Sequence, residues 1–131
     1  MKQIPINSLL MLQMQYCFWG IMYNVGSMLA VRNTQQAWAS TDALIGVVVM
    51  SLYGLLLSAG LINNLTLYRI LMGLTVLVLG YGGFITHLLN YGQMELYQSV
   101  LTWLGAILIN GSGLVLNLMA ALGWFKCRNW N

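Results

Sequence analysis

Charge is what this sequence lacks most. Its 131 residues include five Lys or Arg and two Asp or Glu, 5% charged residues against 60% hydrophobic ones, with a mean hydropathy of +0.77. Soluble domains carry about 25% charged residues, so a water-facing surface is excluded. The net charge of +3 comes from too few groups to indicate nucleic acid and bears only on threading. Histidine and cysteine are almost as scarce. His87 is the only histidine, and no acid or cysteine stands at a spacing that would complete a zinc site with it. A haem held by two histidines is excluded within one chain. Cys17 and Cys127 have no CxxC spacing and form no redox motif; Cys127 reads as a reduced cytoplasmic thiol. The two acids, Asp42 and Glu95, are too few for intramembrane hydrolysis, which needs paired carboxylates, a Ser–His arrangement or a metal motif. No enzymatic activity, cofactor or metal is expected.

What the chain has in abundance is long apolar stretches, at residues 9–31, 43–62, 67–89 and 100–125. Each is near or above the roughly 20 residues that cross about 30 Å of hydrocarbon as a helix. Barrel strands would alternate apolar and polar residues, and runs such as Gly46-Val47-Val48-Val49-Met50 do not. The expected fold class is therefore an all-α integral membrane protein. Residues 1–131 form one domain of four transmembrane helices in an up-down bundle.

Basic residues orient the bundle. Lys2, Arg69, Lys126 and Arg128 fall on one side of the membrane, while the other side has Arg32 with Asp42 and Glu95. The positive-inside rule then puts both termini in the cytoplasm, and a bacterial inner membrane is the expected location. Trp38, Trp103, Trp124 and Trp130 lie near helix ends, where indole rings favour the interface. Ala37-Trp38-Ala39 has the form of a signal-peptide cleavage site. The apolar stretch before it is too long for the 7–15 residues of a signal core, and Arg32 intervenes, so the first helix is expected to be retained.

The connections are short. Ser40 to Asp42 can cap the second helix, and Asn63-Asn64-Leu65-Thr66 makes a tight hairpin. Asn90 and Gly92 end the third helix, with Glu95 near the start of the fourth, where a carboxylate suits the helix dipole. The glycosylation sequons at Asn64 and Asn110 would lie on the cytoplasmic side and within the membrane, and so have no meaning.

Polar and small residues recur on one face of each helix. The fourth carries Ala106, Asn110, Gly113, Asn117 and Ala120; the first carries Gln13, Cys17, Gly20, Asn24 and Ser27. The third carries Gly73, Gly80, Gly83, His87 and Asn90, and the second Ser51, Gly54 and Ser58. At this spacing small residues let backbones approach and amides bond across them. Ser112 points the other way and can bond to its own helix. Gln13, Gly20, Asn24, Ser27, Gly80, Gly83, His87, Asn110, Gly113 and Asn117 are thus the candidates for helix contact or for lining a pore. Asn24 and Asn110 lie at matching depth, roughly 22 Å from the cytoplasmic helix ends at 1.5 Å per residue. They are expected to meet between the first and fourth helices, with Gly20 and Gly113 close by. His87, near the outer end of its helix, is expected to be partly hydrated.

Leu104-Gly105-Ala106-Ile107-Leu108-Ile109 followed by Gly113-Leu114-Val115-Leu116-Asn117-Leu118 resembles the last helix of small multidrug resistance transporters and their drug/metabolite relatives. The resemblance implies a four-helix membrane chain of similar length. That family's membrane-embedded Glu in the first helix has no counterpart; Gln13 and Gln15 stand in that region, so proton-coupled exchange lacks a carrier group. Two functions fit. One is a non-enzymatic accessory, assembly or structural subunit whose helix faces contact another integral membrane protein or copies of itself. The other is a small oligomeric transporter or channel with an amide-lined path formed by Gln13, Asn24, Asn110 and Asn117. The lipid bilayer is a partner in either case.

Overall fold

In a computed structural model, residues 3–127 are described; Lys2, Arg128 and Trp130, which enter the threading and interface arguments, lie outside them. Four helices make up most of the chain: α1 (Ile6–Thr34), α2 (Ala43–Leu61), α3 (Leu65–Gly92) and α4 (Val100–Leu122). Three of them, α2, α3 and α4, are long and apolar enough to cross a membrane. The longest, α1 with 29 residues, is not among these. Its length suffices, but Asn7, Gln13, Gln15, Asn24, Arg32 and Asn33 dilute its apolar residues.

Local chemistry sets the helix ends. Pro5, held at φ −61°, precedes α1, and Gln35 in the left-handed region (φ 62°) ends it by donating its N–H to Val31 O. Asp42 caps α2 by accepting from Ile45 N at 3.0 Å, and Asn64 caps α3 by accepting from Leu67 N at 3.2 Å. Ser99 and Thr102 form a capping box at the start of α4. Glu95 therefore does not serve the dipole of α4; it lies in a short 3-10 turn, Met94–Leu96, before Ser99 takes the cap. The fourth helix also stops short of the apolar limit at residue 125. Gly123, at φ 73°, adopts the left-handed conformation that closes a helix. Beyond it, β2 (Phe125–Lys126) pairs in parallel with β1 (Ile4–Pro5) and clasps the start of α1 to the end of α4 at one end of the bundle.

Around the bundle the helices follow the order α2, α1, α4, α3. The seams α1–α2, α1–α4 and α3–α4 are closed, whereas α2 and α3 meet little beyond their own hairpin. Leu9, Leu10, Met50, Leu57 and Met72 fill the core toward the clasp end, with Tyr16, Tyr53 and Tyr68. Two helices depart from regularity. In α2 the pattern breaks at Leu57, between Ala43–Leu56 and Ser58–Leu61. In α3 the segment Gly80–Ile85 is a π-helix, and the Thr86 hydroxyl donates to the Tyr81 carbonyl at 2.9 Å.

Candidate functional site

The polar groups inside the bundle gather at two levels. Toward the clasp end, a closed network joins all four helices. Gln13 of α1 donates through Nε2 to Asn117 Oδ1 of α4 (3.0 Å) and to the Met72 sulfur of α3 (3.2 Å). The Tyr53 hydroxyl of α2 donates to the same Asn117 oxygen at 2.7 Å, and the Tyr68 hydroxyl of α3 donates to Gln13 Oε1. All five side chains are almost wholly buried, and among the described residues Asn117 Nδ2 has no hydrogen-bond partner. Tyr16 packs edge-on against Tyr53 and its ring lies directly on Gly113, so that seam is filled by an aromatic ring.

At the opposite end, a second set locks the loops. His87 Nδ1 shares a 2.7 Å hydrogen bond with the Tyr97 hydroxyl, and the Trp103 indole N–H donates to His87 O at 2.9 Å. Gln36 donates to Tyr97 O at 3.1 Å, fixing the third loop to the first. Ser27 Oγ accepts from Trp38 N at 3.0 Å, and the Tyr23 hydroxyl donates to Thr102 O at 2.8 Å. The expectation of a partly hydrated His87 is corrected here. His87 is 3% exposed, with the Tyr97 hydroxyl bonded to its ring and the Trp103 indole to its carbonyl.

From the level of His87 and Tyr23 toward the clasp, the open α2–α3 seam leads into a cavity of about 360 Å³. Its walls come from all four helices: Tyr23 and Asn24 of α1, Ile45, Gly46, Val49 and Met50 of α2, Val78, Leu79, Gly82, Gly83 and His87 of α3, and Asn110 of α4, with Thr41 and Asp42 at one end. A second cavity of about 260 Å³ continues along the same seam toward the clasp, sharing Val49, Val78 and Leu79. Apart from Thr75 and Tyr53 its lining is aliphatic.

Asn24 and Asn110 do not bond to each other. Each donates instead to the carbonyl four residues back on its own helix, Asn24 to Gly20 O (2.8 Å) and Asn110 to Ala106 O (2.9 Å). Their carboxamide oxygens lie against Gly46 of α2 and Gly83 of α3, so the amides flank one cavity rather than bridge one seam. They share a cavity, but their oxygens face α2 and α3 rather than each other. Gly20 and Gly113 also serve different contacts, Gly20 receiving Met50 of α2 and Gly113 receiving Tyr16 of α1. Gly80 faces Leu114 across the α3–α4 seam. Of the candidates, Asn24, Gly83, His87 and Asn110 thus share the cavity, Gln13 and Asn117 the closed network, and Ser27 the loop lock.

Sequence reasoning missed the tyrosines. Tyr53, Tyr68 and Tyr97 are 2% exposed or less, and each puts its hydroxyl into a hydrogen bond with a candidate residue. A helical-face count that admitted tyrosine as a polar residue would place Tyr68 and Thr75, seven apart, on one face of α3. Among the described residues no three His, Cys, Asp or Glu side chains gather where a metal ion could be held. No family model, curated protein or solved structure matches the chain.

Proposed function

We propose that this chain is a non-enzymatic multi-pass membrane protein, an accessory subunit that acts by binding within the bilayer through its α2–α3 cleft. In this reading α1 is a fourth span and both termini are cytoplasmic. Support for the fourth span comes from the outer face of α1, where Met11, Met14, Phe18, Trp19 and Met22 are 46–59% exposed while Gln13 and Ser27 are buried. Support for the orientation comes from Arg69, whose Nε donates to Ala121 O beside the chain-end clasp, with Arg32 at the far end of α1. A reporter fused after residue 131 is expected to be active only in a form that works in the cytoplasm. Activity of a reporter that works only outside it would refute the threading.

The observation that carries the binding role is the polar wall of the one open seam. Hydrocarbon offers no hydrogen bonds, so polar groups facing it are costly. Two carboxamides held at a lateral opening make physical sense when something fills the space before them. Gly82 lies on the π segment, lines the cavity, and has no atom within 4 Å of where a Cβ would stand, so a larger side chain fits without a clash. Native mass spectrometry of the protein from mild detergent is expected to show a small bound mass, reduced about tenfold in Gly82→Leu. Equal retention by both forms, or no bound mass in either, would remove the cleft from the account.

A second reading, a small-solute transporter, is favoured by the two amides sharing one cavity. For a single chain to conduct, the Gln13 network that closes the clasp end must open. Flux of a small polar solute into protein-loaded liposomes, with the cavity-filling Gly82→Leu as control, separates the two readings.

A further inference from the structure

We infer that the cleft is a site for a single-tailed amphiphile with an uncharged, hydroxyl- or amide-bearing head; the inference rests on the reading of the cleft as a binding site. The two cavities adjoin end to end and change character once along the seam. The larger carries polar groups, Asn24, Asn110, Thr41 and His87, on an otherwise mostly apolar wall, and the smaller is aliphatic apart from Thr75 and Tyr53. One polar end followed by one apolar end is the polarity profile of an amphiphile. Together the spaces are of the size that holds a small ligand, and the smaller is a single groove suited to one chain.

Charge decides the head. Among the described residues no Lys or Arg lines either cavity, and the ionisable groups there are His87, bonded through Nδ1 to the Tyr97 hydroxyl, and Asp42, one of whose carboxylate oxygens accepts from the Ile45 N–H. A phosphate would meet no cation and would stand near a carboxylate. Each carboxamide uses one N–H on its own helix, which leaves it a second N–H and an oxygen. Such a wall pairs best with a group that both donates and accepts, as a hydroxyl or an amide does. The tail end needs no portal, because Leu52, Leu74 and Val78 at the rim are 54–66% exposed and would meet lipid directly.

The test uses the full chain in detergent with Cys17→Ala and Cys127→Ser, carrying Val49→Cys on the wall shared by both cavities. Alkylation of the introduced thiol by N-ethylmaleimide is followed with and without added amphiphile. Monooleoylglycerol is expected to slow the reaction about tenfold, and oleoyl lysophosphatidate, oleylamine and octadecene to have much weaker effects at the same concentration. Asn110→Leu is expected to erase the preference for monooleoylglycerol over octadecene, with Asn24→Leu as the alternative should that protein not accumulate. Geranylgeraniol in place of monooleoylglycerol tells an isoprenoid tail from a straight one, and protection by either supports the site. Equal or better protection by the phosphate, the amine or octadecene would overturn the head assignment and leave the cleft standing. A thiol that does not react at all, in any condition, would mean a closed seam and would sink both readings.

Discussion

Gln13→Leu is expected to lower the stability of the folded bundle by about 1–3 kcal/mol, the cost of leaving a buried polar group unpaired. The side chain is 0% exposed and is the one member of the network that contacts two other helices through both amide atoms. Removing it strands the Tyr68 hydroxyl, also 0% exposed, and takes from Asn117 one of its two donors. Interhelical hydrogen bonds in membrane proteins average only about 0.6 kcal/mol, with about 1.7 at the top. The larger figure is expected here because the loss leaves orphans rather than exchanging partners. The same argument sets the control. Tyr68→Phe in the Gln13→Leu background removes one orphan, so the double variant should be more stable than the two single losses summed would predict. Thermal unfolding in detergent, followed by circular dichroism, gives the four values needed. Strict additivity would show that Gln13 and Tyr68 are energetically independent, and that the network is not what ties the clasp end together.

The two levels of polar residues explain how much of this could be read from the sequence. Four helices, the short loops and the inward faces of α1 and α4 follow from apolar stretches and three-to-four residue spacing. Gln13, Gly20 and Ser27 on α1, and Ala106, Gly113, Asn117 and Ala120 on α4, are all buried. Partner choice was not legible, because spacing along a helix fixes a face and a depth but not which neighbour the face meets. Asn24 and Asn110 show the consequence. Their own backbone carbonyls lie within reach at i−4, so neither needs the other. Between their helices, Tyr16 over Gly113 and Tyr23 beside Gly105 occupy the seam. The open α2–α3 seam was hidden for a related reason. Part of the π segment of α3 lines it, and glycine-rich apolar sequence such as Gly80-Tyr81-Gly82-Gly83 fits a close-packed helix equally well. The burial of His87 depended on Tyr97, which reaches it from a loop ten residues away.

Gly113→Leu is expected to be the most damaging single substitution on α4, and even Gly113→Ala is expected to destabilise. A Cβ at this position would overlap the ring of Tyr16, with three ring carbons inside contact distance. Relief by rotating the ring away is blocked, because Tyr16 is 4% exposed and its edge meets Tyr53, whose hydroxyl is fixed on Asn117. Pushing on Tyr16 therefore pushes on the buried network, whose members have nowhere to move. Overpacking a close-packed interior costs about 1–3 kcal/mol for one or two added carbons, against about 1 kcal/mol that Gly→Ala returns in helix propensity. Gly113→Ala should come out a net loss of about 1 kcal/mol, and Gly113→Leu should prevent the bundle from closing. The contrast lies on α3, where Gly82→Ala meets open space and should cost nothing. Tyr16→Leu in the Gly113→Ala protein should recover part of the loss, since the smaller side chain clears the added methyl. Melting temperatures of the four variants and the wild type in one detergent check the set. If Gly113→Ala melts no lower than wild type, the α1–α4 seam is looser than the Tyr16 packing requires, and the closed core toward the clasp end must be redrawn.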